Sequence, residues 1–463
     1  MKRSLSSLLL GPDVTLSPRR LFLILLILGF ALRIGYGVVR YRSDLFHLSG
    51  ESFIASWDFD ALEHVLIAKA VLSGKGYVVD NSPIPPGKHV RYVGEDAVFK
   101  APLYEFFLAG IFAISGFSFL LFFPLQALLG GLLSGLIGLI TLETFRQPRA
   151  AWFAGLMAAA HPLLVNSASQ PYNENFFFFL FVAAIWAFLI WFRTRAVRWA
   201  ILAGALVGLC ILTRESGLPL LVAMGGVGIL AAPRNPKSWV GCALLAITTV
   251  AVVAPWTLRN YLRFGTLVPV TSIVGTALAD GNNECTASEG VLTPFWAEGG
   301  RCLPLDNRRR RLEALSPASR VPAVVRQDRI SGHAAFAFIR EHPAAYAKLA
   351  LRRLWTTLLP YDPRGNLRLH NRIAFVLYWL AVFPAGIAGM TVGLRRMEAR
   401  TILLSLLIGL NLLSIMAVVY YSDLRYRVGI DLLLGCFAGW FYSEVLGRRA
   451  EEAPSALESQ LVS

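Results

Sequence analysis

Long apolar runs, separated by short connections that carry Arg and Lys, dominate the hydrophobic pattern of this chain. A helix needs about 20 apolar residues to cross a hydrocarbon core of ~30 Å, so runs of this length predict membrane-spanning helices. Some of the runs are short for a full crossing, but flanking Trp, Tyr and Arg side chains can anchor their ends. The ten predicted spans lie at roughly 20–40, 119–142, 150–168, 174–192, 198–213, 216–232, 238–257, 371–394, 401–421 and 428–446.

Two further apolar stretches, 101–118 and 344–360, carry more polar side chains than the predicted spans. If only one of them crossed the bilayer, the charge pattern of every later connection would invert. We therefore interpret both as interfacial or re-entrant helices, while the alternative that both span stays open. The polar side chains that make them amphipathic are Tyr104, Glu105, Lys348, Arg352 and Arg353.

The composition favours the same class of protein. The 463 residues are 56% hydrophobic and only 16% charged, and the mean hydropathy is +0.56. A soluble domain of this size cannot hide so much apolar surface, so the bilayer must solvate most of the chain. Pattern and composition together predict an all-α, polytopic membrane protein.

The charge distribution predicts the orientation in the membrane. The formal net charge is +15, from 44 Lys and Arg against 29 Asp and Glu, and the basic residues lie in short clusters between apolar runs. Such clusters are typical of anchoring against anionic lipid on the cytoplasmic side, so no nucleic-acid partner is indicated. We place the N-terminus on the cytoplasmic side of the plasma (inner) membrane. The following basic clusters then all become cytoplasmic: Arg146/Arg149, Arg193/Arg195/Arg198, Arg234/Lys237, Arg395/Arg396/Arg400 and Arg448/Arg449.

This topology predicts one membrane domain over residues 1–446 and two large extracytoplasmic regions. The first covers 41–118 with its juxtamembrane helices, and the second covers 258–360. Residues 447–463 are polar and are predicted to form a disordered cytoplasmic tail. Cys285 and Cys302 share the second region, where an extracytoplasmic location would permit a disulfide, while their spacing indicates no zinc site.

Candidate chemical groups collect at the extracytoplasmic ends of the predicted spans. Asp58, Asp60 and Glu63 follow the first span. Carboxylates and guanidinium groups at one bilayer face suit a substrate that carries a phosphate, because arginine binds phosphate through bidentate, charge-assisted hydrogen bonds. The alternative for each single arginine is that it reaches to a lipid headgroup. The other candidates at this face are Glu174, Arg214, Arg259, Asn260, Arg425 and Arg427.

Asp60 is the candidate general base, since a carboxylate beside an apolar surface can be tuned to abstract a proton. Either Asp58 or Asp60 is also a candidate cap for the helix that starts near Ala61. The pair Asp58 and Asp60 is in addition a candidate oxygen-ligand set for a divalent cation, and no other cofactor is indicated.

Short motifs in order along residues 20–446 resemble the GT-C superfamily of membrane glycosyltransferases. The likeness is to the dolichyl-phosphate-mannose protein mannosyltransferases and the lipid A aminoarabinose transferases. It is a resemblance to glycosyltransferase family 39. Where the aminoarabinose transferases carry Glu-Lys-Pro, this chain has Phe99-Lys100-Ala101. The matching motifs are Asp60 to His64 with Gly74-Lys75-Gly76-Tyr77, Pro102-Leu103-Tyr104 with Gly116, His161-Pro162 to Glu174, Leu212-Thr213-Arg214, Pro255-Trp256 to Asn260 with Gly281-Asn282-Asn283, and Arg425-Tyr426-Arg427.

The resemblance implies a helical bundle of about ten transmembrane helices with interfacial helices and extracytoplasmic loops. It also implies inverting transfer of a sugar from a polyprenyl-phosphate donor to a glycan, lipid or protein acceptor. Asp60 is then the catalytic carboxylate. The residues then expected to bind substrate are Asp58, Glu63, Lys100, Tyr104, Glu174, Arg214, Arg259, Asn260, Arg425 and Arg427.

Two rival functions stay open at this point. A transporter or flippase of lipid-linked sugars would place ionisable groups near the bilayer midplane. Here the middle of each predicted span is nearly uncharged and the polar groups crowd one edge, which favours the enzyme. A scaffold that binds lipid-linked sugars without catalysis would keep the arginines while Asp60 became dispensable.

Overall fold

The computed structural model describes residues 17–41, 59–81, 90, 93–289, 321–361, 369–418 and 424–461. Their regular structure is helical apart from two isolated β-bridges, which join Val78 to Asp96 and Val79 to Val93. The predicted all-α architecture is therefore confirmed.

The first half of the bundle contains a pair of short helices, the first of which includes Asp60, and several long helices. A one-turn 3₁₀ helix, Glu215–Gly217, connects the last two helices of this half. The helices are α1 (Pro18–Arg40), α2 (Phe59–Leu72), α3 (Pro102–Ser115), α4 (Phe122–Phe145), α5 (Pro148–Ala159), α6 (Pro162–Ser167), α7 (Glu174–Thr194), α8 (Val197–Thr213) and α9 (Leu218–Leu230).

The second half adds one long bent helix, a group of shorter helices and three long helices that close the bundle. Its first helix continues seven residues beyond the predicted end at 257 and carries Pro255 in its interior. The helices are α10 (Pro236–Phe264), α11 (Val274–Gly281), α12 (Glu284–Glu289), α13 (Ala323–Glu341), α14 (Pro343–Leu358), α15 (Leu369–Arg395), α16 (Ala399–Val418) and α17 (Leu424–Leu461).

Within the described part of the chain, seven helices are long and apolar enough to cross a membrane, so the protein is a multi-pass membrane protein. Three shorter apolar segments, Pro102–Ser115, Val197–Thr213 and Glu215–Leu230, lie among them. The seven are Pro18–Arg40, Phe122–Phe145, Glu174–Thr194, Pro236–Phe264, Asn371–Arg395, Ala399–Ala417 and Leu424–Leu446.

Two elements differ from the sequence prediction. The run 150–168 is divided into α5 and α6, because Pro162 lacks a backbone N–H and disfavours helical geometry at His161 before it. The last helix, α17, continues to Leu461, although residues 447–463 were predicted to be a disordered tail. That extension is rich in Ala, Glu and Leu, which are good helix formers.

Close helix contacts in the bundle depend on small residues. A Cβ atom added at Gly131 of α4 would lie 2.5 Å from the backbone oxygen of Leu26 in α1, and one at Gly29 would lie 2.7 Å from Ser134 Oγ. Only glycine lets these two backbones approach so closely, as is common where helices meet in membranes.

Candidate active site

Asp60 lies between two cationic side chains from distant parts of the chain. Lys100 Nζ is 3.0 Å from Asp60 Oδ1. Arg425 places both Nη1 and Nη2 at 3.3 Å from Asp60 Oδ2, which is a fork on one oxygen. Each of the three side chains is only partly exposed, so they are shielded from bulk water without being sealed from it.

The ion-pair network extends from Asp60 in both directions through two buried carboxylates. Lys100 Nζ also contacts Glu63 Oε2 at 3.1 Å. On the other side, Arg425 Nη1 lies 3.8 Å from Glu174 Oε1, which also accepts a hydrogen bond from Arg214 Nη1 at 3.3 Å. Three carboxylates therefore alternate with three cationic groups, and we call these six residues the Asp60 cluster: Glu63, Lys100, Asp60, Arg425, Glu174 and Arg214.

The cluster forms because several helices begin or end at the same level. Asp60 is in the first turn of α2 and Glu174 opens α7, where the helix dipole favours a negative charge. Lys100 comes just before α3, whose first residue Pro102 has the fixed φ that suits a helix start. Arg425 is in the first turn of α17, and Arg214 follows the last residue of α8.

Helix spacing explains why Asp60 and Glu63 reach the same lysine. Residues three and four positions apart share a face of a helix, so Asp60, Glu63 and His64 all point from α2 toward the segment that contains Lys100 and α3. There His64 Nδ1 lies 2.7 Å from Glu105 Oε1, and both side chains are buried. Neither His64 nor Glu105 is among the site residues predicted from the sequence.

Tyr77 links the cluster to the turn that follows α2. Gly74 and Gly76 have φ of 75° and 88°, a left-handed geometry that glycine adopts without strain. The turn returns Tyr77 to Lys100, whose backbone oxygen accepts a hydrogen bond from the tyrosine hydroxyl at 3.1 Å. Burial, reinforced by the negative charge of Glu105, holds the pKa of Tyr77 well above its ordinary value, so the hydroxyl keeps its proton.

An apolar cavity of about 590 Å³ adjoins this turn. Its volume lies within the range of ~300–1,000 Å³ that is common for small-molecule sites. Tyr77 contributes to its wall, which connects the cavity to the backbone of Lys100. Other residues of the wall are Gly74, Gly76, Pro102, Leu103, Phe106, Leu212, Pro255 and Trp256.

Arg259 lies at this cavity and not in the Asp60 cluster. Its guanidinium carbon is 4.8 Å from the ring centroid of Trp256, and its Nη2 is 3.7 Å from Asp96 Oδ1. The adjacent Asn260 is fully buried and donates from Nδ2 to the backbone oxygen of Val268 at 3.0 Å. Asn260 therefore holds the turn after α10 and does not face the cluster.

Two other predicted site residues, Arg427 and Tyr104, are buried and bind structural partners inside the fold. Arg427 is fully buried, pairs with Asp431 at 3.1 Å and donates to the backbone oxygen of Thr357 at 2.9 Å. Tyr104 is also fully buried, and its hydroxyl accepts a hydrogen bond from Gln126 Nε2 at 2.9 Å. The structure does not bring either side chain into contact with Asp60.

Two acidic groups near the cluster have raised pKa values. Glu215 follows Arg214 directly and accepts a hydrogen bond from the Thr271 hydroxyl. Burial raises its pKa to about 7, against the partial compensation of a backbone hydrogen bond and of Arg214. Burial also raises the pKa of Asp328, which accepts a hydrogen bond from the Thr276 backbone N–H at 2.8 Å. Glu215 is not among the site residues predicted from the sequence.

Some of the sequence predictions fall outside the described residues. Asp58 and Cys302 belong to those segments, and the side chain of Cys285 is not described, so the cap, cation and disulfide hypotheses that involve them stay predictions. Within the described ranges, no three His, Cys, Asp or Glu side chains are grouped so as to hold a metal ion.

Comparison with known proteins gives a consistent class. A family model described as dolichyl-phosphate-mannose-protein mannosyltransferase matches residues 99–256. No curated protein sequence matches the chain. The archaeal oligosaccharyltransferase AglB from Archaeoglobus fulgidus, in complex with an inhibitory peptide and a dolichol-phosphate, is 14% identical with a TM-score of 0.54. That match covers 96% of this chain and 52% of that chain.

Two further solved structures are similar. The Archaeoglobus fulgidus oligosaccharyltransferase in the apo form has 14% identity and a TM-score of 0.52, with 95% of this chain and 52% of that chain covered. ArnT from Cupriavidus metallidurans bound to undecaprenyl phosphate has 18% identity and a TM-score of 0.37, with 92% and 79% covered. This chain therefore spans about half the length of the oligosaccharyltransferase chains that it matches.

Fold and site together define a polytopic membrane protein with a charged cluster where its helices begin and end. The family-model match over residues 99–256 and the fold shared with the oligosaccharyltransferase confirm the resemblance to GT-C membrane glycosyltransferases that the sequence predicts. The segment matched by the family model contains Lys100, Glu174 and Arg214 of the Asp60 cluster.

Proposed function

We propose that the chain transfers a sugar, with inversion, from a polyprenyl-phosphate donor to the hydroxyl of a glycan, lipid or protein acceptor. The reaction would take place at the extracytoplasmic face of the plasma (inner) membrane. The observation that carries the proposal is the placement of Asp60 between Lys100 and Arg425, with Lys100 joined through Tyr77 to an apolar cavity. A carboxylate, phosphate-binding cations and a place for a lipid chain are the parts that this reaction needs.

The two parts of the donor, its prenyl chain and its phosphate, would bind in the cavity and at the Asp60 cluster respectively. Its prenyl chain would occupy the apolar cavity that Tyr77 borders, with Arg259 on the cavity wall. Its phosphate would bind Lys100, Arg425 and Arg214, because planar guanidinium groups match phosphate oxygens. The solved oligosaccharyltransferase holds a dolichol-phosphate, which supports a lipid phosphate as the ligand of this fold.

Binding of the phosphate would change the state of Asp60. In the described structure Lys100 and Arg425 contact the Asp60 carboxylate, and Arg425 and Arg214 contact Glu174. A phosphate that takes up these cations weakens their hold on Asp60, so the carboxylate becomes available to the acceptor. The proposed phosphate-binding groups are thus held in ion pairs with carboxylates of the same cluster.

The chemical step follows from these positions. Asp60 accepts the proton of the acceptor hydroxyl while the hydroxyl oxygen forms a bond to the anomeric carbon. The bond between that carbon and the phosphate oxygen breaks, and polyprenyl phosphate leaves with the bonding electron pair. Lys100 and Arg425 stabilise the negative charge that grows on the phosphate.

The Asp60→Asn variant tests the assignment of the base. Transfer should fall by ~10²–10⁴-fold, because an amide of the same shape does not accept the proton. Binding of polyprenyl phosphate should persist, since Lys100 and Arg425 are retained. The measurements are release of polyprenyl phosphate from a labelled donor and binding of the lipid phosphate by the purified protein.

Glu95→Gln is the matched control, because Glu95 is an exposed carboxylate in the same hydrophilic region and outside the cluster. It should keep full transfer. Full transfer by a folded Asp60→Asn protein would contradict the proposed role of Asp60. Movement of a labelled donor across liposomes without any acceptor would favour the transporter instead.

A direct experiment can identify the acceptor. Mass spectrometry of glycans, glycolipids and glycoproteins from cells with and without this gene should reveal one missing sugar linkage. Restoration of that linkage by the wild-type gene and by Glu95→Gln, but not by Asp60→Asn, would connect it to the Asp60 cluster.

A further inference from the structure

A second cavity, of about 970 Å³, lies at the opposite end of the bundle from Asp60. It is bounded by α1, α4 and α7, and its walls are mostly apolar. The residues that form these walls include Phe22, Leu23, Leu136, Leu139, Trp186 and Ile190. Its volume is near the upper end of the range of ~300–1,000 Å³ for ligand sites.

The length of α7 separates this cavity from the Asp60 cluster. Glu174 of the cluster opens the helix, while Arg193 at its last turn lines the cavity. At a rise of 1.5 Å per residue these ends are roughly 29 Å apart, about the thickness of a hydrocarbon core. The cavity is therefore independent of the proposed donor site and lies at the end predicted to be cytoplasmic.

The rim of the cavity is strongly basic. Four arginines line it against a single carboxylate, Glu143. Two of them are held by that carboxylate, with Arg193 Nη1 at 2.9 Å and Arg400 Nη2 at 3.2 Å. The other two, Arg19 and Arg146, are exposed and have no ion-pair partner among the described residues.

Arg146 also lines a neighbouring cavity of about 210 Å³. That cavity is more polar, with Thr144, Thr401, Arg396 and the carboxylate of Glu398 among its lining residues. Arg146 follows the last residue of α4 with a φ of 57°, so the backbone turns away from the helix axis at this point. An apolar space and a polar basic space thus meet at one exposed guanidinium group.

We propose that this cavity binds an anionic phospholipid of the cytoplasmic leaflet. One acyl chain lies against Phe22, Leu139 and Trp186, and the phosphodiester headgroup binds Arg19 and Arg146. Basic pockets between membrane helices on the cytoplasmic side are suited to anionic headgroups, and the apolar walls are suited to an acyl chain. A zwitterionic lipid lacks the net negative charge that two exposed arginines select.

The test compares phosphatidylglycerol with phosphatidylcholine on the purified full chain in nonionic detergent, with bound lipid counted by native mass spectrometry. Wild type should retain phosphatidylglycerol in preference to phosphatidylcholine. The double variant Arg19→Gln/Arg146→Gln should bind phosphatidylglycerol roughly 30-fold more weakly, since each arginine near an anionic lipid contributes about fivefold. Arg234→Gln is the control, because Arg234 is an exposed arginine on a connection predicted to face the same side.

Several outcomes would overturn the proposal. Equal retention of the two lipids would show that charge does not select the occupant. An equal loss in Arg234→Gln would show a general effect of positive charge. A photo-crosslinking residue at Leu139 that captures residues 1–16 of the same chain, and no lipid, would identify the N-terminal segment as the occupant.

Discussion

The two carboxylate oxygens of Asp60 contact different cationic side chains. Oδ1 contacts Lys100 and Oδ2 contacts Arg425, which is 365 positions further along the chain. Lys100 in turn joins Asp60 to the buried Glu63. A substitution at any of the three therefore changes the electrostatic environment of the other two, and effects in this cluster are expected to be non-additive.

Glu215 provides a prediction of pH dependence at the residue scale. Its pKa is raised from 4.5 to about 7 in the folded protein. Between these values the folded state keeps a proton that the unfolded state has lost, so stability falls as the pH rises from about 4.5 to about 7 and then levels off. The total loss is about 3 kcal/mol.

Glu215→Gln should remove this part of the pH profile, since the amide does not ionise. The unfolding midpoint of wild type, followed by fluorescence in detergent between pH 4.5 and pH 8, should fall relative to that of the variant. Parallel profiles for the two proteins would contradict the raised pKa of Glu215. Glu95→Gln, at an exposed position, serves as the control and should follow wild type.

At the scale of the helix, the start of α17 decides which arginine can reach Asp60. Successive residues of an α-helix are rotated by about 100°, so Arg425 and Arg427 point to nearly opposite sides. Arg425 faces the cluster, whereas Arg427 faces Asp431, four residues later on its own side. The sequence prediction placed the helix start at 428 and treated both arginines alike, as residues of a preceding loop.

The contact between α1 and α4 gives a prediction at the same scale. Gly131→Val should destabilise the protein by about 1–3 kcal/mol or more, because the added side chain would strike the backbone of Leu26. Gly226→Val is the matched control, since a Cβ atom at Gly226 of α9 has open space within 4 Å. Both changes introduce the same β-branched side chain into a helix interior, so intrinsic helix propensity cancels in the comparison.

Thermal unfolding of the two variants in the same detergent measures the difference. The unfolding midpoint of Gly131→Val should be lower than that of Gly226→Val. Equal midpoints would mean that α1 and α4 are not closely packed in the folded protein.

For the whole molecule, the two ends of the bundle differ in chemistry. One end carries the Asp60 cluster beside an apolar cavity, and the other carries the arginine-lined cavity. The basic connections predict that the second end and both termini are cytoplasmic. This orientation places the proposed transfer reaction on the outer surface.

Single engineered cysteines test that orientation, in a chain whose Cys285 and Cys302 are replaced by serine. Ser73→Cys lies in the exposed turn after α2, and Arg234→Cys lies in the connection between α9 and α10. An impermeant maleimide should label the first in intact cells and the second only after permeabilisation. The reverse pattern would invert the topology and remove the proposed site from the extracytoplasmic face.

The apolar spans and the helical class were accessible from the sequence because hydrophobicity is a property of each short segment on its own. The positions of most helices therefore match within a few residues. Of the candidate residues that the sequence indicated, the structure brings these close together: Asp60, Glu63, Lys100, Glu174, Arg214 and Arg425. Tertiary contacts alone separated Arg427 and Asn260 from them, and brought His64 to Glu105. The reason is physical: which side chains meet depends on helix starts, helix rotation and the close approach of backbones, and these are fixed only when the helices pack against one another.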